Sequence, residues 1–131
     1  MNRIEARITH IEQTDNITIL SFDAQGRAMR MMALGLNLPV RNGTAVILGF
    51  KASHVALAKA LNGSLSISNR LDAVIESVET GALLCSVRLR VGLTSIESII
   101  TRESAEHMGL RAGDSVTALI KASDVSIVGI A

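Results

Sequence analysis

The sequence predicts an all-β fold, β-rich with one short helix per module. Three observations carry this: the chain repeats itself, its apolar residues alternate with a period of two, and turn residues punctuate the alternating runs. The repeat organises everything else. NRIEARITHIEQT at 2–14 parallels NRLDAVIESVET at 69–80, matching Asn2 with Asn69, Arg3 with Arg70, Ala6 with Ala73 and, after a one-residue slip, Thr14 with Thr80. RNGTAVILGFKASHVAL at 41–57 parallels RAGDSVTALIKASDVSI at 111–127 at a constant offset of 70, which pairs Gly43 with Gly113 and Lys51-Ala52-Ser53 with Lys121-Ala122-Ser123. Self-similarity of this kind marks a chain built from equivalent units. The stretch between them, AKALNGSLSIS at 58–68, contains Asn62-Gly63 and three serines and suits an exposed connection, so the modules are 1–62 and 63–131.

Within the first module, Ile17, Ile19 and Ser21 give a strand alternation, though not a clean one. In the second, Leu83, Cys85, Val87, Leu89 and Val91 alternate with Leu84, Ser86, Arg88 and Arg90, which describes a strand with one face buried. Val116, Ala118 and Ile120 repeat the pattern, and Glu79-Thr80-Gly81 and Ala112-Gly113-Asp114 supply turns. The convincing helix is brief. Thr101 is placed to cap it, Glu103 lies in its first turn where the dipole favours an acid, and Gly109 is placed to end it. About 65 residues of short strands and one short helix make a small OB-like β-barrel, here twice in tandem.

Composition sets the functional limits. The chain has 131 residues, 48% of them hydrophobic, enough for packed cores. Thirteen Lys plus Arg stand against twelve Asp plus Glu, a net charge of +1, so no global field recruits nucleic acid or an anionic membrane, and any anion site is local. Cys85 is the single cysteine and sits in an apolar alternation, which fits a reducing compartment. MNRIEARITHIE is charged throughout, with no signal-like apolar run, and nothing approaches the ~20 apolar residues that span a bilayer. The expected location is the cytoplasm.

SLSISNRLDAVIESVETGALLCSVRL, then TSIESIITRESAEHMGL, then GDSVTALIKASDVSI resemble the molybdate-binding Mop module, also called the TOBE domain, of the molbindin family. In that family the module opens with Ser-Ala-Arg-Asn, carries Ile-Thr-x-x-Ser-Ala-x-x-x-Gly-Leu, and closes on Lys-Ala-Ser/Thr-x-Val-x-Ile. This chain reads Ser66-Ile67-Ser68-Asn69, Ile100-Thr101 through Ser104-Ala105 to Gly109-Leu110, and Lys121-Ala122-Ser123-Asp124-Val125-Ser126-Ile127. Ser68 stands where the family has arginine, and Arg70 follows two positions later. The first copy is more divergent: its middle, ALGLNLPVRNG, lacks the Thr-x-x-Ser pair.

The resemblance implies an oxyanion site for molybdate or tungstate drawn from Ser66, Ser68, Asn69, Arg70, Thr101, Ser104, His107, Lys121, Ala122 and Ser123, and from Asn2, Arg3, Lys51, Ala52 and Ser53 in the first copy. A tetrahedral dianion offers only oxygen acceptors, so hydroxyls, backbone N–H groups and an ammonium match it. Thr101 and Ser104 would set hydroxyls at a helix start, beside Lys121, where the dipole is positive. A cage of donors alone would turn away protonated phosphate. Each residue also has a plainer role: Lys121 as a solvated strand end, Thr101 as a cap, His107 as a surface side chain, Met29, Met31 and Met32 as core or interface filling.

The resulting expectation is a binding protein for molybdate or tungstate, serving storage, homeostasis or sensing, with no cofactor and no metal-ion site of Cys/His or carboxylate type. Small cores call for association, and the family implies a homotrimer of two-module chains. The alternative is the ligand-sensing domain of a molybdate-responsive transcription regulator or of a molybdate ABC transporter ATPase. The chain itself shows neither a helix-turn-helix nor a P-loop, and no nucleophile–base pair that would make it an enzyme.

Overall fold

The computed structural model describes Met1–Ala131 in full. In chain order the elements are β1 (Asn2–Thr14), β2 (Ile17–Ala24), β3 (Arg27–Leu34), β4 (Ala45–Phe50), β5 (Ala56–Ala58), β6 (Asn69–Thr80), β7 (Leu84–Val91), β8 (Thr94–Thr101), α1 (Arg102–Met108), β9 (Ser115–Ile120) and β10 (Ser126–Ile130). Single 3-10 turns, Ala52–His54 and Ala122–Asp124, link β4 to β5 and β9 to β10. The strands make two antiparallel five-stranded sheets, β10-β4-β1-β2-β3 and β5-β9-β6-β7-β8. Each curls into a half-barrel, so the fold is all-β and OB-like, in tandem.

The two halves exchange their last strands. β5 follows β4 in sequence but pairs with β9, placing Ala56 opposite Leu119, whereas β10 pairs with β4, placing Ser126 opposite Gly49 and Ile130 opposite Val46. The 3-10 turns carry the chain across. Lys51 and Lys121 precede them in extended conformation (ψ 143° and 144°), and Val55 and Val125 follow, each buried in the opposite half. Val55 is fixed there by the buried hydroxyl of Ser98, which donates to its carbonyl at 2.6 Å. Gly49 is required by this crossing, because a Cβ there would stand 2.5 Å from Val128 Cγ1 and 2.9 Å from Met1 Sδ. Lys59, just past β5, bonds Asp114 Oδ2 at 3.1 Å and the Met108 carbonyl at 3.2 Å. That bond holds the Asp114 carboxyl below its ordinary range, against the opposing effect of partial burial.

One hydrophobic cluster of 25 buried residues runs through both halves, with Leu20, Phe22, Leu48 and Phe50 from the first and Leu71, Ile75, Val87 and Leu89 from the second. Equivalent bulges interrupt β1 after Ile8 and β6 after Ile75, where each strand bends over its sheet.

Three expectations need correction. An α-helix forms only in the second module, where the Thr101 hydroxyl accepts from Ser104 N–H and Gly109 closes the helix at φ 61°. The first module's counterpart, residues 35–44, is irregular: it lacks the hydroxyl pair and contains Gly35 at φ 60° and Pro39. In β2 the buried row is Thr18, Leu20, Phe22 and Ala24, while Ile17 and Ile19 point outward, because the bulky Leu20 and Phe22 set the phase. Leu83 lies before β7 and is 81% exposed, so the buried row begins at Cys85.

Candidate functional site

Two asparagines build the site. The carboxamide of Asn69, fully buried, accepts from Arg30 N–H at 2.7 Å and donates to the Arg30 carbonyl at 2.9 Å. Asn2 does the same to Glu97, at 2.8 Å in both directions. Each side chain thus grips one residue of the other module's outermost hairpin strand, Arg30 on β3 and Glu97 on β8. Because Asn69 opens β6, its clamp presses Ser66–Ser68 against β3. From the other side the exchanged turn Ala122–Asp124 packs onto β3 as well.

Between them lies a cleft of about 250 Å³ lined by Ile19, Arg30, Met32, Ser66, Ile67, Ser68, Lys121, Ala122 and Ser123. Ile19, Met32 and Ile67 give it apolar walls. Its polar lining residues are three serines, one lysine and one arginine, with no acidic residue among them. Neither Arg30 nor Lys121 has a carboxylate within 4.0 Å, unlike Lys59, Arg90 and Arg102, which pair with Asp114, Glu76 and Glu106. Two cations without counter-charges, surrounded by hydroxyl donors, are suited to hold a small oxyanion.

The structure therefore brings together Ser66, Ser68, Lys121, Ala122 and Ser123 of the expected set. Asn69 stands behind them with its carboxamide engaged, and Arg70 turns back, donating to the carbonyls of Ile67 at 3.2 Å and Leu65 at 2.7 Å, so that it ties down the serine segment. Thr101, at the N-cap of α1, and Ser104 and His107 within it are exposed and do not line this cleft. The Thr101 hydroxyl donates to Ser104 Oγ at 2.9 Å and caps the helix. Lys121 does not sit beside them, since the strand exchange sends its turn to β3, while Ala52–His54, preceded by Lys51, packs on β8, the strand that ends at Thr101. Asn2 is engaged with Glu97 and Arg3 is exposed at the start of β1. The two turns meet at His54 Nδ1 and Asp124 Oδ1, 3.6 Å apart. No group of three or more His, Cys, Asp or Glu side chains converges anywhere, and no helix is long and apolar enough to cross a membrane.

Arg30 escaped the sequence reading. It stands between Met29 and Met31 on an alternating strand and looks like any outward residue. Only the tertiary clamp from Asn69 reveals it.

Residues 65–127 match the TOBE domain family. The chain is 38% identical over 85 residues to the molybdenum-pterin-binding protein MopA of Rhodobacter capsulatus, a match spanning 63% of this chain and 32% of that protein. It is 35% identical over 66 residues to molybdenum-pterin-binding protein 1 of Clostridium pasteurianum, covering 50% of this chain and 97% of that one. Among solved structures it superposes on the molybdate-bound cytoplasmic molybdate-binding protein ModG with a TM-score of 0.93 at 26% identity, covering 99% of this chain and 96% of ModG. With the internal repeat, the exchanged half-barrels and these likenesses together, the chain belongs to the molbindin family of Mop (TOBE) proteins, as a tandem two-module member.

Proposed function

We propose that this protein binds molybdate or tungstate as the intact oxyanion, without converting it, and serves storage, homeostasis or sensing in the cytoplasm. The observation that carries this reading is the cleft in which Arg30 and Lys121, free of carboxylates, face Ser66, Ser68 and Ser123. Molybdate-binding relatives and the likeness to ModG support the choice of anion. Phosphate, which keeps a proton near neutral pH, would bring a donor to a lining with no carboxylate to accept it. The working form is a homo-oligomer, a trimer of two-module chains. Exposed Ile17, Met32 and Leu34 at the edge of the first sheet give it apolar surface to bury.

Titration calorimetry on the full chain tests the reading. Molybdate and tungstate bind, phosphate binds far more weakly, and added magnesium changes nothing. Lys121→Met keeps the aliphatic stem and removes one charge-assisted bond, worth roughly 1.5–3 kcal/mol, so affinity falls about 10- to 150-fold. Phosphate bound as tightly as molybdate refutes the assignment. A second reading, a sensing module within a larger regulator or transporter, is favoured by the MopA match, which covers 32% of a longer protein.

A further inference from the structure

In the Lys121 cleft the serine segment cannot supply a guanidinium: Ser68 has only a hydroxyl, and Arg70 is occupied by the carbonyls of Ile67 and Leu65. A guanidinium is nonetheless present. Arg30 comes from the other module, on β3, and lines the same cleft as Ser66, Ser68 and Lys121. Its backbone is held at both N–H and C=O by a fully buried asparagine, so the residue is fixed in place while its side chain makes no hydrogen bond or ion pair within the chain. An unpaired arginine on a rigid anchor, close to an unpaired lysine, has its favourable partner in an anion shared between them.

The matching clamp in the other half emphasises the point. The residue that Asn2 grips as Asn69 grips Arg30 is Glu97, an acid, on the strand against which the turn after Lys51 packs. The Lys-Ala-Ser motif recurs, but the clamped residue on the strand it packs against carries the opposite charge.

We propose that Arg30 is an anion-binding residue of the Lys121 cleft, contributed across the module boundary, and that it supplies the guanidinium for which Ser68 leaves room. This rests on the reading of that cleft as the oxyanion site. The test is molybdate calorimetry at fixed ionic strength on the full chain, with melting temperatures, for Arg30→Gln, Lys121→Met, Arg30→Gln combined with Ser68→Arg, and Arg88→Gln as a charge control on the exposed face of β7. Arg30→Gln is expected to weaken binding about 10- to 150-fold at an unchanged melting temperature. Ser68→Arg then recovers affinity by returning a guanidinium to the same cleft, and Arg88→Gln binds as the parent does. Full affinity in Arg30→Gln with a loss in Lys121→Met overturns the role of Arg30 and leaves the cleft standing. Full affinity in both overturns the cleft itself. A loss that Ser68→Arg does not restore, accompanied by a lowered melting temperature, makes Arg30 structural and overturns the proposal.

Discussion

Replacing Asn69 by alanine tests the clamp that holds the two modules in register. Two hydrogen bonds disappear, of 2.7 and 2.9 Å, made by a side chain with 0% exposure. β3 ends its sheet, so the Arg30 N–H and C=O that Asn69 satisfies have no neighbouring strand to turn to. Each bond contributes about 1 kcal/mol net, and each buried polar group left without a partner costs about 1–3 kcal/mol. Arg30 is exposed, so water recovers part of that cost. The expected loss is about 2–4 kcal/mol, which for a chain of this size lowers the melting temperature by roughly 6–20 °C. Urea unfolding followed by circular dichroism measures it, and Asn69→Asp, which keeps an acceptor for Arg30 N–H but loses the donor, should also be destabilised. A loss below about 1 kcal/mol for Asn69→Ala, or an unchanged molybdate affinity in a protein so destabilised, would refute the argument that the carboxamide positions β3 and the cleft.

Thr18 has a buried hydroxyl with no hydrogen-bond partner, so Thr18→Val should be neutral or stabilising in the same assay; a loss above about 1 kcal/mol would show that the hydroxyl is satisfied. Deleting Ser126–Ala131 should speed amide exchange in β4, which loses one of its two neighbouring strands, and leave β9 protected by β5; the reverse pattern would contradict the strand exchange. Glu76 is held below its ordinary range first by the hydroxyl of Ser95 and then by Arg90, and Asp114 first by Lys59. Carboxyls depressed in the folded state contribute stability that is present above their unfolded values, ~4, and lost as pH falls through the folded ones. Urea midpoints should therefore decline below about pH 4, less so in Asp114→Asn, and a midpoint that rises on acidification would count against both pairs.

Much of the fold was legible because the repeat preserves the residues that do structural work. Asn2 and Asn69 recur as reciprocal clamps, and Gly43 and Gly113 as left-handed turn residues at φ 91° and 92°. The β7 row was readable because four apolar residues, Cys85, Val87, Leu89 and Val91, alternate with Ser86, Arg88 and Arg90, whereas in β2 isoleucines occupy the outward positions and blur the phase. The strand exchange was not readable at all. β4 and β9 have nearly the same burial pattern, so that pattern does not distinguish which of β5 and β10 each accepts. The candidate site split along the same line. Ser66 and Ser68, and Lys121 and Ser123, lie on two short motifs and line one cleft, but Arg30 lies in a different module, and Thr101 and Ser104 were expected beside a lysine that the exchange takes elsewhere.

The exchanged strands also bear on how such a chain can diversify. Two separate single-module polypeptides could trade the same edge strands only by meeting, and identical copies would be bound to identical pockets. Joining them through residues 59–68 makes the trade intramolecular, at an effective concentration set by a short tether. A change in one copy is then met by a different sequence in the other. The two copies in this chain differ in that way: only the second carries an α-helix, and the position that Asn69 clamps holds Arg30 where the one that Asn2 clamps holds Glu97. Covalent fusion thereby lets two positions related by the repeat carry opposite charges within one molecule.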